Sequence, residues 1–204
     1  MSELEWRDEI TPVSNRFDDP YYSVDDGRAE TDYVFIQGNN LPARWPNMET
    51  CTIAELGFGT GLNFLETIHQ WQNIKADDAT LHFISFEQFP MTKEEMSKAL
   101  SNWPELAEHT SRLVEIWQPQ TNLLEIEFAT DIKLSVHMGD ANLLLPQLKF
   151  QVDAWYLDGF SPAKNPELWN ETLMQEVGKH TSANGTFATY TAAGFVKRLS
   201  LIHI

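Results

Sequence analysis

A glycine-rich turn, Glu55-Leu56-Gly57-Phe58-Gly59-Thr60-Gly61, is the feature of this chain that most restricts its fold. The apolar strand candidate Cys51–Ala54 precedes it, and a helix-like stretch begins near Leu62. Glycines spaced by two allow a tight turn, a close approach of backbone to ligand, and close packing of a helix on a strand. The segment therefore predicts a strand–turn–helix unit that binds a nucleotide-like ligand. The alternative is a turn that serves packing only.

The spacing of this turn departs from that of dinucleotide-binding proteins. Those proteins carry Gly-x-Gly-x-x-Gly, and the helix N-terminus holds a pyrophosphate. Here the last glycine, Gly61, comes one residue early, and Glu55 stands two residues before the first glycine. This variant is typical of S-adenosylmethionine-dependent methyltransferases, whose cofactor has no phosphate and whose cationic amino-acid end favours nearby carboxylates.

From Cys51 onward, short apolar segments alternate with stretches whose apolar residues recur at three and four positions. The predicted strands are Thr50–Glu55, Leu81–Glu87, Lys133–His137, Ala154–Asp158 and Thr186–Tyr190. The predicted helices are Gly61–Gln72, Thr92–Asn102, Pro104–His109, Ala141–Leu148 and Pro166–His180. Strands that alternate with helices predict an α/β fold, a mostly parallel twisted sheet with helices on both faces.

The two ends of the chain differ in character from this alternating region. Residues 1–49 are rich in Pro, Asp, Asn and Tyr, and we predict an irregular leader packed on a core of residues 50–204. Within the leader, Tyr33–Ile36 is a strand candidate and Leu41–Trp45 a short helix or turn. At the other end, Ala193–Arg198 has the pattern of a first helical turn, yet the chain stops six residues later. We therefore expect a truncated C-terminal edge of the sheet.

Acidic residues follow two of the predicted strands. Glu87 ends the strand after the glycine turn, where a carboxylate accepts hydrogen bonds from both ribose hydroxyls of a nucleoside ligand. Asp140 follows Gly139 after a later strand, where a carboxylate can accept from the exocyclic amine of adenine. Alternatively, Glu87 is a solvated strand end. Asp140 can cap the helix that begins at Ala141, and it can have both roles because Asp is a preferred N-cap residue.

Asp158 ends the strand Ala154–Leu157 and begins the turn Asp158-Gly159-Phe160-Ser161-Pro162. Amine-directed methyltransferases carry an Asp or Asn here, whose oxygen orients the target amine. An aliphatic ammonium has a pKa of roughly 10 and must lose a proton before it attacks. We predict that Asp158 accepts that proton and lies across the cleft from Glu55 and Glu87. The alternative is a simple Asp-Gly turn.

Composition narrows the classes of partner. The chain has 30 acidic and 14 basic residues, a net charge of −16, and therefore no basic footprint for nucleic acid. Cys51 is the single cysteine, which fits a reducing cytoplasm, and the six histidines lack metal-site spacing, so we predict no metal. The sequence has no signal peptide and no apolar run of about 18 residues, so we expect no membrane association.

Several motifs together resemble one family, the methyltransferase domain of the tRNA 5-methylaminomethyl-2-thiouridine biosynthesis bifunctional proteins. The resemblance runs from about residue 5 to residue 198. The motifs that carry it are Pro12-Val13-Ser14, Phe17-Asp18-Asp19, Tyr33-Val34-Phe35, Glu55 through Phe64, His82 through Glu87 with Phe89-Pro90, Trp103-Pro104-Glu105-Leu106, Gly139-Asp140, Val152 through Trp155 with Leu157 through Phe160, Pro162 through Pro166, and Ala193 through Val196.

The resemblance implies a Rossmann-like methyltransferase that moves a methyl group from S-adenosylmethionine to the aminomethyl group of a modified wobble uridine in tRNA. The product is 5-methylaminomethyl-2-thiouridine. The implied cofactor contacts are Glu55, Gly57, Phe58, Gly59, Gly61, Asn63, Glu87 and Asp140. The implied substrate contacts are Asp19, Tyr21, Phe160 and Lys164, although the leader aromatics can equally serve packing alone.

In the bifunctional members, an FAD-dependent oxidoreductase domain follows and produces the aminomethyl substrate. Nothing in these 204 residues corresponds to that domain, so we expect only weak tRNA binding by this chain alone. Two other interpretations stay open at this point. One is a polyamine-type aminopropyltransferase or another small-amine transferase, and the other is a nucleoside-binding module without activity.

Overall fold

The computed structural model describes residues 4–23 and 26–191. Its strands are β1 (Leu4–Arg7), β2 (Thr11–Ser14), β3 (Asp19–Pro20), β4 (Thr50–Leu56), β5 (Thr80–Glu87), β6 (Leu123–Ala129), β7 (Ile132–Met138), β8 (Val152–Leu157) and β9 (Thr181–Thr189). Its α-helices are α1 (Gly27–Glu30), α2 (Leu41–Arg44), α3 (Leu62–Ile74), α4 (Lys93–Leu100), α5 (Ala107–Ile116), α6 (Ala141–Leu144) and α7 (Glu171–Lys179). A π-helical segment, Thr31–Gln37, follows α1 directly, and Pro166–Trp169 forms a 3-10 helix before α7.

Six strands form the main sheet in the order β6-β7-β5-β4-β8-β9. All neighbouring pairs are parallel except β6 and β7, which form an antiparallel pair. The predicted mostly parallel sheet is therefore confirmed. Strand β6 was not predicted, although Leu124, Ile126 and Phe128 alternate with acidic residues as a half-buried strand requires.

The main sheet is covered on both faces, as the alternating pattern predicts. Ile53 and Phe83 point into a core formed with α3, α4 and α5. Their sequence neighbours Ala54 and Ile84 point the other way, into a core with α7. Side chains in a strand alternate between faces, so one apolar run such as Ile53-Ala54 supplies both cores.

The predicted strand Tyr33–Ile36 is wrong, because these residues lie in the π-helical segment. Phe35 and Ile36 are buried while Tyr33 is 79% exposed, and Thr31 is buried four residues before Phe35. This is helical spacing, and it lets Phe35 stack on Tyr156 with ring centroids 5.1 Å apart. The packing of Phe35 and Ile36 outweighs the strand preference of this β-branched and aromatic run.

The leader is more regular than predicted. Strands β1, β2 and β3 form a separate antiparallel sheet of three strands, so the prediction of an irregular leader is wrong in this part. The predicted helix start at Ala193–Arg198 lies outside the described residues. In the part of the chain that the structure describes, no helix is long and apolar enough to cross a bilayer.

Candidate functional site

A cavity of about 330 Å³ lies at the carboxyl ends of β4, β5, β7 and β8. Its floor is made by the residues that end or follow these strands, and the leader closes one side. This is the edge at which open α/β sheets bind ligands. The predicted site residues that line the cavity are Asp19, Tyr21, Gly57, Phe58, Gly59, Asn63, Glu87, Asp140, Asp158 and Phe160.

The glycine turn follows β4, and its glycines adopt the left-handed backbone conformation, with positive φ, that favours glycine. Gly57, Gly59 and Gly61 have φ angles of +86°, +54° and +81°. A Cβ on Gly57 would lie 3.4 Å from the Cα of Gly159, so the turn after β4 approaches the turn after β8 closely. The positive φ angle of the turn therefore favours glycine at Gly57, whereas the gap between the two strand ends would admit a Cβ in ordinary van der Waals contact.

Gly61 does not line the cavity, contrary to the predicted cofactor contact. It is the N-cap residue of α3, and a Cβ there would meet Leu113 Cδ2 at 2.8 Å and the Phe58 ring at 3.1 Å. The third glycine thus allows α3 to begin close to α5 and to pack tightly on the core. Gly61 therefore serves packing, which is the alternative to ligand binding named above for the whole turn.

Asn63 joins two buried acids. Its Nδ2 atom donates to Glu55 Oε1 at 2.8 Å and to Asp158 Oδ2 at 2.7 Å. Its Oδ1 accepts from the Thr31 hydroxyl at 2.7 Å. Both N–H groups of the Asn63 amide therefore donate to protein carboxylates, and Asn63 holds the Asp158 carboxylate in position. The prediction that Asp158 lies across the cleft from Glu55 is wrong, because one amide group contacts both carboxylates.

Glu55 lies beneath this bridge and does not line the cavity. It is fully buried, and its Oε2 accepts from the Ser85 hydroxyl at 2.7 Å. Burial raises the pKa of Glu55 well above its ordinary value, and the charge of Asp158 raises that pKa further. Glu55 therefore affects a ligand in the cavity only indirectly, through its hydrogen bond with Asn63 and through the electrostatic field of its carboxyl group.

Asp158 has the surroundings of a proton acceptor. Its Oδ1 accepts from its neighbour Gly159 N–H at 2.8 Å, and its Oδ2 accepts from Asn63. Burial raises the pKa of Asp158 to about 7, and these two hydrogen bonds limit the rise. A carboxyl group with a pKa near neutrality is matched to proton transfer at physiological pH.

Glu87 organises the turn that it faces. Its Oε2 accepts from Gly59 N–H at 2.7 Å, and its Oε1 accepts from Phe89 N–H at 2.6 Å. Burial raises the pKa of Glu87, and the backbone hydrogen bonds oppose that rise. A carboxylate offers about four lone-pair positions, so these backbone contacts leave acceptor capacity for a ligand hydroxyl in the cavity.

Asp140 has the predicted role of an N-cap. Its Oδ1 accepts from the Asn142 backbone N–H and from the Asn142 side-chain amide, both at 2.9 Å, and α6 begins at Ala141. Asp140 also lines the cavity, so capping leaves its second oxygen available to a ligand.

The leader supplies the aromatic side of the cavity. Phe160, in the turn after β8, stacks on Phe17 at 4.6 Å and meets Tyr21 edge to face at 4.9 Å. Asp19 Oδ2 accepts from Ser161 N–H at 3.0 Å and so holds the leader against the same turn.

Lys164 is outside the lining of the cavity, contrary to the predicted substrate contact. Its Nζ donates to the carbonyl oxygen of Asp18 and lies 3.4 Å from Asp19 Oδ1. Through these two contacts, Lys164 stabilises the packing of the leader against the segment that follows β8.

Comparison with known proteins shows which families this chain resembles. A family model described as S-adenosyl-L-methionine-dependent methyltransferase matches residues 104–204. The chain is 46% identical over 206 residues to the tRNA 5-methylaminomethyl-2-thiouridine biosynthesis bifunctional protein MnmC of Aeromonas hydrophila. It is 46% identical over 210 residues to the protein of that name from Aliivibrio fischeri. The chain is therefore similar to S-adenosyl-L-methionine-dependent methyltransferases over residues 104–204, and to the MnmC proteins over 96% of its length.

Both matches cover 96% of this chain and 31% of the relative, so the chain spans about a third of the length of these relatives. Among solved structures, MNMC2 from Aquifex aeolicus superimposes with a TM-score of 0.78. That match covers 95% of this chain and 60% of the other, at 21% identity. The likeness confirms the Rossmann-like methyltransferase fold.

Two residues that line the cavity were not predicted from the sequence. Glu30, the last residue of α1, lines the cavity, and its Oε2 accepts from Ser23 N–H at 3.0 Å. Tyr190 lines it from the end of β9, and its hydroxyl donates to the Gly159 carbonyl at 2.7 Å. Neither lies in a motif, so only the fold brings them to the site.

The charged side chains that line the cavity, among the described residues, are all acidic. Among the described residues that line it, none is Lys, Arg or His. The acidic lining residues are Asp19, Glu30, Glu87, Asp140, Asp158 and Glu167. Such a cavity attracts cations and repels phosphate groups. It fits a sulfonium cofactor with an ammonium group better than it fits a dinucleotide.

Proposed function

We propose that this protein transfers a methyl group from S-adenosylmethionine to the amine of 5-aminomethyl-2-thiouridine at the wobble position of tRNA. The product is 5-methylaminomethyl-2-thiouridine. The observation that carries the proposal is Asp158, a cavity-lining carboxyl with a pKa raised to about 7 at the end of β8. The names of the relatives support the substrate, and they do not favour the aminopropyltransferase alternative.

The residues of the cavity divide between cofactor and acceptor. Bound S-adenosylmethionine supplies an electrophilic methyl group on a cationic sulfur. The backbone of Gly57 and Gly59 allows close approach of the cofactor, and Glu87 accepts from its ribose hydroxyls. Asp140 accepts from the adenine amine. The absence of cationic lining among the described residues favours the positive charges of this cofactor.

Asp158 acts on the acceptor amine. The amine arrives as an ammonium with a pKa of roughly 10, and in this form it has no lone pair for attack. Asp158 takes one proton, while the Asn63 amide holds its carboxylate in place. The aromatic residues Phe17, Tyr21 and Phe160 provide flat apolar surfaces on which a uracil base can pack.

The lengths of the relatives, about three times that of this chain, support a wider setting for it. We propose that the methyltransferase acts in the cytoplasm and beside an FAD-dependent oxidoreductase domain in a longer protein. With a net charge of −16, these 204 residues alone bind tRNA weakly and lose that affinity steeply with added salt.

The test is methyl transfer from labelled S-adenosylmethionine to tRNA that lacks only this methyl group. We expect label in the modified wobble uridine, and none with a polyamine acceptor. Asp158→Ala should remove most turnover and leave cofactor affinity within about twofold, because Asp158 faces the acceptor.

Asp78→Ala is the matched control for that variant, because it removes an exposed carboxylate outside the cavity. Two results would contradict the proposal: tRNA that remains unlabelled with the wild-type protein, and wild-type rates for Asp158→Ala.

A further inference from the structure

Glu30 shares the cavity with Asp158 but comes from a different part of the chain. It ends α1 in the leader, and the next residue, Thr31, donates its hydroxyl to the Asn63 amide that holds Asp158. The Glu30 carboxylate is close enough that its charge acts on both Asp158 and Tyr190. Two carboxyl groups from separate elements, Glu30 and Asp158, therefore line the same cavity.

The hydrogen bond of Glu30 does not require a charge. Its Oε2 accepts from Ser23 N–H, and among the described residues its Oε1 accepts from none. A glutamine would keep an oxygen for Ser23, so holding the leader does not explain a second carboxyl group beside Asp158. Two like charges in a partly enclosed cavity disfavour each other unless a cation lies between them.

No protein cation fills that role in the described residues. Asp158 is surrounded by Glu55 from β4, Glu30 from α1 and Tyr190 after β9, with Asp19 on the leader side of the cavity. None of these groups carries a positive charge. Arg28, although it lies on α1, contacts the buried Glu66 of α3.

We propose that Glu30 is a second carboxylate of the acceptor site, which binds the ammonium of the substrate while Asp158 takes its proton. This assignment rests on the proposed methylation of an amine. In this role Glu30 selects cationic acceptors. A neutral hydroxyl or ring nitrogen receives no comparable attraction from it.

The proton and electron balance follows from these roles. The ammonium gives one proton to the Asp158 carboxylate and becomes a neutral amine. The amine lone pair forms the new N–C bond as the methyl–sulfur bond breaks, and sulfur keeps that electron pair. The product is a secondary ammonium, which again carries one positive charge opposite Glu30. The proton on Asp158 returns to solvent when the product leaves.

The test compares Glu30→Gln with Glu115→Gln in the tRNA methylation assay. Both variants remove one negative charge, but Glu115 is exposed on α5 and far in sequence from the cavity lining. We expect Glu30→Gln to raise the KM for the tRNA acceptor about tenfold or more, because a charge-assisted contact is lost. The Kd for S-adenosylmethionine should change less than about twofold, and Glu115→Gln should match the wild type.

The pH profile separates this role from a structural one. Removal of the Glu30 charge lowers the pKa of Asp158, so the acid limb of kcat/KM should move to lower pH in Glu30→Gln. A Glu30→Asp variant retains the charge and should keep more of the acceptor affinity than Glu30→Gln. Unfolding midpoints of all variants, measured in parallel, report the integrity of the fold.

The outcomes distinguish this inference from the function on which it rests. If the wild-type protein methylates the tRNA amine and Glu30→Gln behaves as Glu115→Gln does, the role of Glu30 is refuted alone. If Glu30→Gln weakens S-adenosylmethionine binding as much as acceptor binding, Glu30 belongs to the cofactor site and the inference is again refuted. If the wild-type protein transfers no methyl group to the amine, the proposed function fails first.

Discussion

Replacement of Asp158 by Asn should change how the stability of the protein depends on pH. Burial raises the pKa of this carboxyl from an ordinary 3.8 to about 7. The folded protein therefore holds the proton more tightly than the unfolded chain does. The carboxyl costs no stability below its ordinary pKa, and its cost grows as the pH rises toward about 7.

The size of this effect follows from the two pKa values. Each pKa unit corresponds to about 1.4 kcal/mol, so the full cost above pH 7 is about 4 kcal/mol. Asp158 lines an open cavity, and solvent there screens part of the charge. Between about pH 5 and about pH 8 we therefore expect the wild-type protein to lose about 1–2 kcal/mol through this group.

Urea unfolding at about pH 5 and about pH 8 measures this loss, with Asp158→Asn compared with the wild type. The variant also loses a hydrogen bond to Asn63 or to Gly159, but that cost is the same at both pH values and cancels in the comparison. Asp78→Asn is the control. If Asp158→Asn and the wild type lose equal stability between the two pH values, the pKa of Asp158 is not raised, and its role as a proton acceptor near neutrality is refuted.

Two further variants test the cofactor side of the cavity. Glu87→Gln should weaken S-adenosylmethionine binding on the order of tenfold in calorimetry, because it removes a charged acceptor; unchanged affinity would rule out the ribose contact. Gly61→Ala should lower the free energy of unfolding by about 2–4 kcal/mol through its positive φ and its contact with Leu113, whereas Gly59→Ala should lose only about 1–2 kcal/mol. Equal losses in urea unfolding would contradict the packing role of Gly61.

Most strands of the main sheet, and the edge of the sheet that holds the cavity, could be predicted from local patterns. Apolar runs such as Ile53-Ala54 and Phe83-Ile84 predict strands buried on both faces, and the glycine turn locates the start of α3. The segment Tyr33–Ile36 could not be predicted this way. Its helical conformation is set by the burial of Phe35 against Tyr156, more than a hundred residues away in sequence.

The roles of the individual residues in the site were harder to predict than the location of the site. Residue types alone placed Glu55 and Asp158 in separate roles, one for the cofactor and one for the acceptor. The structure joins them through Asn63, since β4 and β8 are neighbours in the sheet and α3 begins beside both. Such a bridge depends on strand order, which a single sequence does not show. Glu30 reaches the cavity for the same kind of reason, through the packing of α1 on α3.

If tRNA is the substrate, as we propose, the charge of the cavity constrains how it can approach. Six acidic side chains line the cavity and no cation does so among the described residues, so a phosphate group is repelled there. The repulsion weakens beyond a Debye length of about 8 Å, and cations near the leader lie outside the cavity. Arg16, for example, packs over the Phe89 ring at 4.3 Å. A wobble base can therefore enter with its aminomethyl group first only if its flanking phosphates stay outside, beyond the aromatic residues of the leader.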